Sequence, residues 1–292
     1  MSEFNDKYSG YPDYFNEKLN GFCLQLDCKP KLLCESLKYS LLLGGKRIRP
    51  VLMLAVGDLL GVDREKIINY AIALELIHTY SLTHDDLPEM DNDDFRRGKP
   101  SNHKVFGTGN AVLAGDGLLN TAYSLLFEQC FNGTEFISAA KYICDCAGIN
   151  GMIAGQSADL LYENSKDADE SVLEYIYENK TAKLITAALV TPSILCGNKY
   201  CVELKEFGSA LGYLFQLTDD ILDVEGSFET LGKSTGKDEK ENKFTCVSLY
   251  GLENSKLKAD LVFDRCNAIL DCIQGDVSFL RSMVENVRTR IN

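Results

Sequence analysis

Residues 65–91 read EKIINYAIALELIHTYSLTHDDLPEMD, and the fold follows from the first twenty of them. Ile67, Ile68, Ala71, Ile72, Leu74, Leu76 and Ile77 put apolar side chains on nearly every face of one helix, over Glu65 to Asp86. A helix apolar all round belongs at the centre of a protein, among other elements. Pro88 fixes its end, because the residue before a proline avoids the helical region. The end itself is electrostatically odd. Asp85, Asp86 and Asp91 crowd a helix C-terminus, where the negative end of the macrodipole prefers cations. Such carboxylates repel one another and the dipole unless a cation neutralises them. An all-oxygen donor set favours a hard ion, Mg²⁺ rather than Zn²⁺.

The arrangement recurs. Asp219, Asp220 and Asp223 end a second apolar helix, Val202 to Val224, which Gly226 closes. Two carboxylate clusters holding Mg²⁺ suit a substrate that carries phosphate. Helical periodicity continues elsewhere: Pro30 to Leu43, stopped by Gly44-Gly45; a helix with Pro50 in its first turn and Gly61 as its stop; one from about Ala111; Ile137 to Ala154; Ser171 to Leu195; and two more between Ser255 and Arg290. No useful strand alternation is present and Asn-Gly hairpin signals are nearly absent. The expected class is all-α, in a single domain over residues 1–292, since no linker-like stretch interrupts the 292 residues.

Composition excludes several functions. A net charge of −13 lacks the basic footprint that nucleic-acid binding needs. No apolar run approaches the length of a membrane span. The eleven cysteines include no C-x-x-C pair and read as small core residues in a reducing compartment. The start, MSEFNDKYSGYPDY, has neither a basic nor an apolar signal region, so a cytoplasmic protein is expected.

Around the first cluster, six acids in ten residues (85–94) precede three bases in four: Arg96, Arg97 and Lys99. An EF-hand from Asp91 onward fails, because glycine falls at loop position eight and position twelve is Asn102. Residues 44–50, GGKRIRP, place three bases between two helices, where glycines admit close backbone approach and Lys46 and Arg49 supply charge for an anion. Residues 226–234, GSFETLGKS, miss the Walker A spacing by one and follow a helix, so that reading is rejected. Lys233, Lys237 and Lys243 still follow the second cluster, where a phosphate would lie. His78, His84 and His103 make no zinc spacing with any cysteine, and His78 reads equally well as core or as ligand.

In order along the chain stand GGKRIRP (44–50), HDDLPEMDNDDFRRGKPSNHKVFG (84–107), LAGD (113–116), GQSADL (155–160), KT (180–181), FQLTDDILDV (215–224) and LGKSTGKD (231–238). This ordered set resembles the trans-isoprenyl diphosphate synthases, nearest the bacterial farnesyl/geranylgeranyl diphosphate synthase group. The resemblance implies about ten or more helices around a deep cavity, in a homodimer. It implies that Asp85, Asp86 and Asp91 hold two Mg²⁺ against an allylic diphosphate, and that Asp219, with Asp220, Asp223 or Asp238, holds a third; Mn²⁺ can substitute, and Asp159 of GQSADL joins the metal set. Arg96, Lys180 and Lys233, with Lys243, then contact the allylic diphosphate, Lys46, Arg49, His78 and Arg97 bind isopentenyl diphosphate, and Thr181 and Gln216 lie near the developing cation. Ser101-Asn102 is a mild departure from the pattern, and the C-terminal Arg288 to Asn292 makes a basic contact there less secure. Product length is read from Tyr80 and Ser81, about one turn before Asp85: a bulky Tyr80 floor with Ser81 above it points to a fifteen-carbon product. The alternatives are a geranylgeranyl diphosphate synthase, a class I terpene cyclase, which would leave Lys46 and Arg49 without a task, and a non-catalytic regulatory subunit, which should have lost a carboxylate or base that is present here.

Overall fold

Asp63 opens the central helix of the first half of the chain: its carboxylate accepts a hydrogen bond from the Glu65 amide and caps the first turn. In the computed structural model, which describes residues 10–163, 165, 168–225 and 243–289, that helix runs Arg64–Asp85 (α4). Ile67, Ala71, Ala73, Leu74, Leu76 and Ile77 on it are fully buried, as the all-round apolar pattern requires.

Contacts divide the chain into two compact units, Met1–Ala140 and Lys141–Asn292. In the first, α4 follows α1 (Gly10–Gln25), α2 (Lys31–Leu42) and α3 (Ile48–Leu60). A short hairpin, β1 (Phe95–Arg96) with β2 (Lys99–Pro100), then leads into α5 (Asn102–Phe106) and α6 (Thr108–Gln129), which packs along α4. The division falls inside α7 (Thr134–Ala147).

The second unit contains α8 (Met152–Tyr162), α9 (Glu170–Ile176), α10 (Lys183–Leu195), α11 (Cys201–Glu225), α12 (Cys246–Tyr250), α13 (Leu252–Asp271) and α14 (Ser278–Thr289). Between α9 and α10, Tyr177–Ala182 winds as a π-helix without breaking the run. The buried α11 packs against α10 and α13.

The all-α class holds, with two local corrections. The single helix expected over 137–154 is two, because the chain turns at residues 148–151 between α7 and α8. The hairpin was not foreseen: Arg97 (φ 55°) and Gly98 (φ 74°) occupy the two left-handed positions of a two-residue turn. Asn102, the mild departure from the pattern, is a buried strut. It donates to the Ser36 carbonyl (3.0 Å) and Ser40 Oγ (2.8 Å), and accepts from Ser36 Oγ (2.9 Å), fixing α5 to α2. Among the described residues no helix is long and apolar enough to cross a membrane.

Candidate active site

In the first unit the Asp-rich turn folds back on itself. The Asp91 amide donates to the Asp85 carbonyl (2.8 Å), and the Met90 and Asn92 amides both donate to Leu87. That turn returns Asp91 to the helix end that carries Asp85. Asp86 is 3% exposed, and its carboxyl is raised to about 6, first by burial, with Arg96 opposing and Asp93 and Asp85 adding. Arg96 holds it with two hydrogen bonds from Nε and Nη2, and reaches Asp93 at 3.1 Å. A buried carboxyl under like-charge strain, with an arginine as countercharge, is the environment expected where a cation or a diphosphate is to be exchanged in.

The hairpin then separates two neighbouring bases. While Arg96 turns to Asp86, Arg97 donates from Nη1 to the Gly44 carbonyl and lies against Gly45, where a Cβ would stand 2.5 Å from the guanidinium carbon. Only glycine admits that approach, and Gly45 also adopts φ 118°. Arg97 thereby joins the basic loop read from the sequence. Within that loop the three bases differ. Lys46 is exposed. Arg47, 4% exposed, is structural: it pairs with Glu75 at 2.6 Å and donates to the Leu41 carbonyl at 2.6 Å. Arg49 has a buried Nε with no hydrogen-bond partner among the described residues. Burial lowers its guanidinium to about 10, with Glu75 opposing and Arg97 adding. His78 on α4 is pushed well below the usual histidine range, first by burial and then by the charges of Arg49, Arg97, Arg96 and Arg47. A neutral imidazole within a group of arginines, one with an unused buried donor, offers charge and a donor suited to an anion.

The second unit is organised around the π-helix. Gly155 of GQSADL leaves α8 room against it, since a Cβ there would stand 2.1 Å from the Lys180 nitrogen. Lys180 pairs with Asp159 at 2.5 Å, so these two sequence-read residues do come together. Thr181 donates to Gln216 (2.8 Å), whose amide donates to Asp220 (3.0 Å). Asp220 is 3% exposed and its second oxygen accepts from the Tyr177 hydroxyl and the Cys246 amide (2.9 Å). Burial and that carboxylate raise Tyr177 far above its ordinary range, keeping the hydroxyl a donor. Asp220 thus ties α11 to the π-helix and α12, while Asp219 is half-buried beside it. Lys233 and Asp238 lie outside the described residues, and Lys243 begins the segment that resumes before α12.

The sequence profile of the polyprenyl synthetase family matches residues 30–268. The chain belongs to that family. It is 43% identical over 261 residues to the farnesyl diphosphate synthase of Micrococcus luteus, covering 89% of this chain and 87% of that protein. To the chloroplastic geranylgeranyl pyrophosphate synthase of Capsicum annuum it is 44% identical over 236 residues, covering 78% and 63% respectively. The crystal structure of the Helicobacter pylori geranyltransferase, complexed with magnesium and isoprenyl diphosphate, matches with a TM-score of 0.85 at 32% identity, covering 99% of this chain and 97% of that one.

For this member of the family, the donor set fits Mg²⁺. Asp85, Asp86 and Asp91 offer oxygen only, beside a raised, crowded carboxyl. Among the described residues no three His, Cys, Asp or Glu side chains make a ready cage. Mg²⁺ takes one or two carboxylates and completes its shell with water and substrate phosphate. Two residues that the sequence reading passed over shape the site: Asp93, the second anchor of Arg96, and Tyr177, which orients Asp220. Asp93 was visible as one more acid in the run. Nothing in the pattern around Tyr177 marks a π-helix.

Proposed function

We propose that this member of the polyprenyl synthetase family condenses isopentenyl diphosphate with an allylic diphosphate, dimethylallyl or geranyl, and that farnesyl diphosphate is its main product. The observation that carries the reading is the split within one unit: a carboxylate cluster at the end of α4, served by Arg96, and a separate arginine group at Gly44-Gly45, served by Arg97. One suits an anion bridged by cations and the other an anion held directly. Two diphosphates bound in two modes is what chain elongation requires, and a cyclase would have no use for the second.

In this reading Asp85, Asp86 and Asp91 would hold two Mg²⁺, and Asp219, with Asp220, Asp223 or Asp238, a third. Mg²⁺, when bound, neutralises the allylic diphosphate as a leaving group. Arg96, Lys180, Lys233 and Lys243 hold that diphosphate. On ligand binding Arg96 exchanges Asp86 for phosphate oxygens, and Lys180 likewise turns from Asp159. Lys46, Arg49, His78 and Arg97 hold isopentenyl diphosphate with its double bond toward the allylic carbon. Thr181 and Gln216, already hydrogen-bonded, present oxygen dipoles to the positive charge as it develops. Apolar walls keep water from the cation, and the departing diphosphate accepts the final proton, so no protein base is needed. Tyr80 closes the path of the growing chain, with Ser81 above it. The family profile runs through both units, which supports one catalytic domain over residues 1–292. A cytoplasmic homodimer completes the reading, with Mn²⁺ able to replace Mg²⁺.

Calorimetric titration tests the two modes. Isopentenyl diphosphate should bind in EDTA, whereas a non-reactive thiolo analogue of geranyl diphosphate should bind only with Mg²⁺. If both ligands need the metal equally, the assignment of the arginine group is wrong.

A further inference from the structure

His84 stands between Asp85 and the floor residue Tyr80 and is used by neither assignment. Its ring is fixed on three sides. Nε2 is 2.9 Å from the Val112 carbonyl oxygen of α6; a carbonyl only accepts, so Nε2 carries the proton and donates. One turn back on α4, the Tyr80 ring meets it edge to face, with centroids 5.7 Å apart and planes at 86°. Gly115 of α6 lies against the ring. A Cβ there would stand 2.0 Å from Nε2, 2.3 Å from Cδ2 and 2.8 Å from Cε1, and these are its three nearest neighbours. The helix α6 therefore omits a side chain at the one place where the His84 ring enters. Tyr80 is 6% exposed, and the His84 ring packs against it.

The geometry points to His84 as a positioning residue for product length: seated in the Gly115 gap and anchored to Val112, it holds the Tyr80 ring across the path of the growing chain. The inference rests on Tyr80 being the floor. Without the His84 ring, Tyr80 gains side-chain freedom, the floor stops the chain only part of the time, and a further isopentenyl unit is added more often.

The test compares wild type with Tyr80→Ala, His84→Ala, Gly115→Ala and the His84→Ala/Gly115→Ala double variant. The twenty- to fifteen-carbon product ratio is read by mass spectrometry, and folding by circular dichroism. His84→Ala should raise the ratio about 2- to 12-fold, the range set by loss of an edge-to-face ring pair. Gly115→Ala should raise it too, by displacing the ring. In the double variant the new methyl has no ring to meet, so its ratio should equal that of His84→Ala. A purely architectural role would slow both products alike and leave the ratio fixed. If Tyr80→Ala lengthens the product while His84→Ala and Gly115→Ala do not, the floor stands and the role of His84 is overturned. If Tyr80→Ala also changes nothing, the floor reading falls and this inference with it. Should His84→Ala not fold, His84→Leu, which fills the gap without an aromatic edge, carries the same comparison.

Discussion

Replacing Arg49 and Arg47 separately by methionine should give opposite phenotypes, although the two lie within one run of bases. Arg49 holds a shielded Nε with no acceptor among the described residues, and its guanidinium is already lowered to about 10 by burial. An unsatisfied buried donor costs about 1–3 kcal/mol, so Arg49→Met should keep or raise the melting temperature. Under the proposed assignment it removes a charge-assisted hydrogen bond to isopentenyl diphosphate, worth about 1.5–3 kcal/mol. The KM for isopentenyl diphosphate should therefore rise about 10- to 150-fold, with little change for the allylic substrate. Arg47→Met instead strands Glu75, which is 1% exposed. Breaking a buried pair from one side costs about 3–5 kcal/mol. At about 2–4 °C per kcal/mol for a domain of this size, the melting temperature should fall by roughly 6–20 °C, with both KM values kept in the folded fraction. Thermal melts and steady-state kinetics on each substrate decide the matter. A destabilised Arg49→Met with an unchanged KM, or equal weakening for both substrates, would refute the division of roles.

Three further outcomes are expected. His78 is held below its unfolded value of about 6.5, so the unfolded chain binds the proton first and stability falls as pH drops through that value, by up to about 1.4 kcal/mol per pH unit; a His78→Gln variant should show a shallower loss between pH 6.5 and 5, and identical slopes would count against a buried neutral imidazole. Tyr177→Phe removes a donor from buried Asp220 and should lower stability by about 1–3 kcal/mol in denaturant titrations; an unchanged midpoint would deny Asp220 its role as a strut. Asp85→Ala or Asp219→Ala should cut kcat by several orders of magnitude with the melting temperature preserved, and full activity in either would sink the two-cluster mechanism.

The sequence displays what depends on periodicity and on charge out of place. The apolar faces of α4 locate the core helix within one residue at each end, and the carboxylates at its C-terminus are visible because they contradict the helix dipole. The grouping of Arg49, His78 and Arg97 follows from the ordered motifs. Hidden are features made by tertiary contact. Arg47 looks like Lys46 and Arg49 in a row of bases, and its tertiary contacts, above all Glu75, 28 residues away, make it structural. Two-residue strands have no period, so the hairpin that aims Arg96 and Arg97 apart was missed, although an Arg-Gly pair fits a turn with two left-handed positions. A π-helix differs from an α-helix by a hydrogen-bond register that composition does not encode. Asp220 reads as a metal ligand beside Asp219 and Asp223, and nothing in the sequence marks its second task, accepting hydrogen bonds from Tyr177, Gln216 and Cys246.

The most direct test of the account is to incubate the purified protein with isopentenyl diphosphate and geranyl diphosphate, with Mg²⁺ and with EDTA, and to identify the products by mass spectrometry. The account predicts farnesyl diphosphate and released diphosphate in equal amounts with Mg²⁺, and neither in EDTA. Condensation that persists without divalent metal, or consumption of geranyl diphosphate to a cyclic hydrocarbon without uptake of isopentenyl diphosphate, would contradict it.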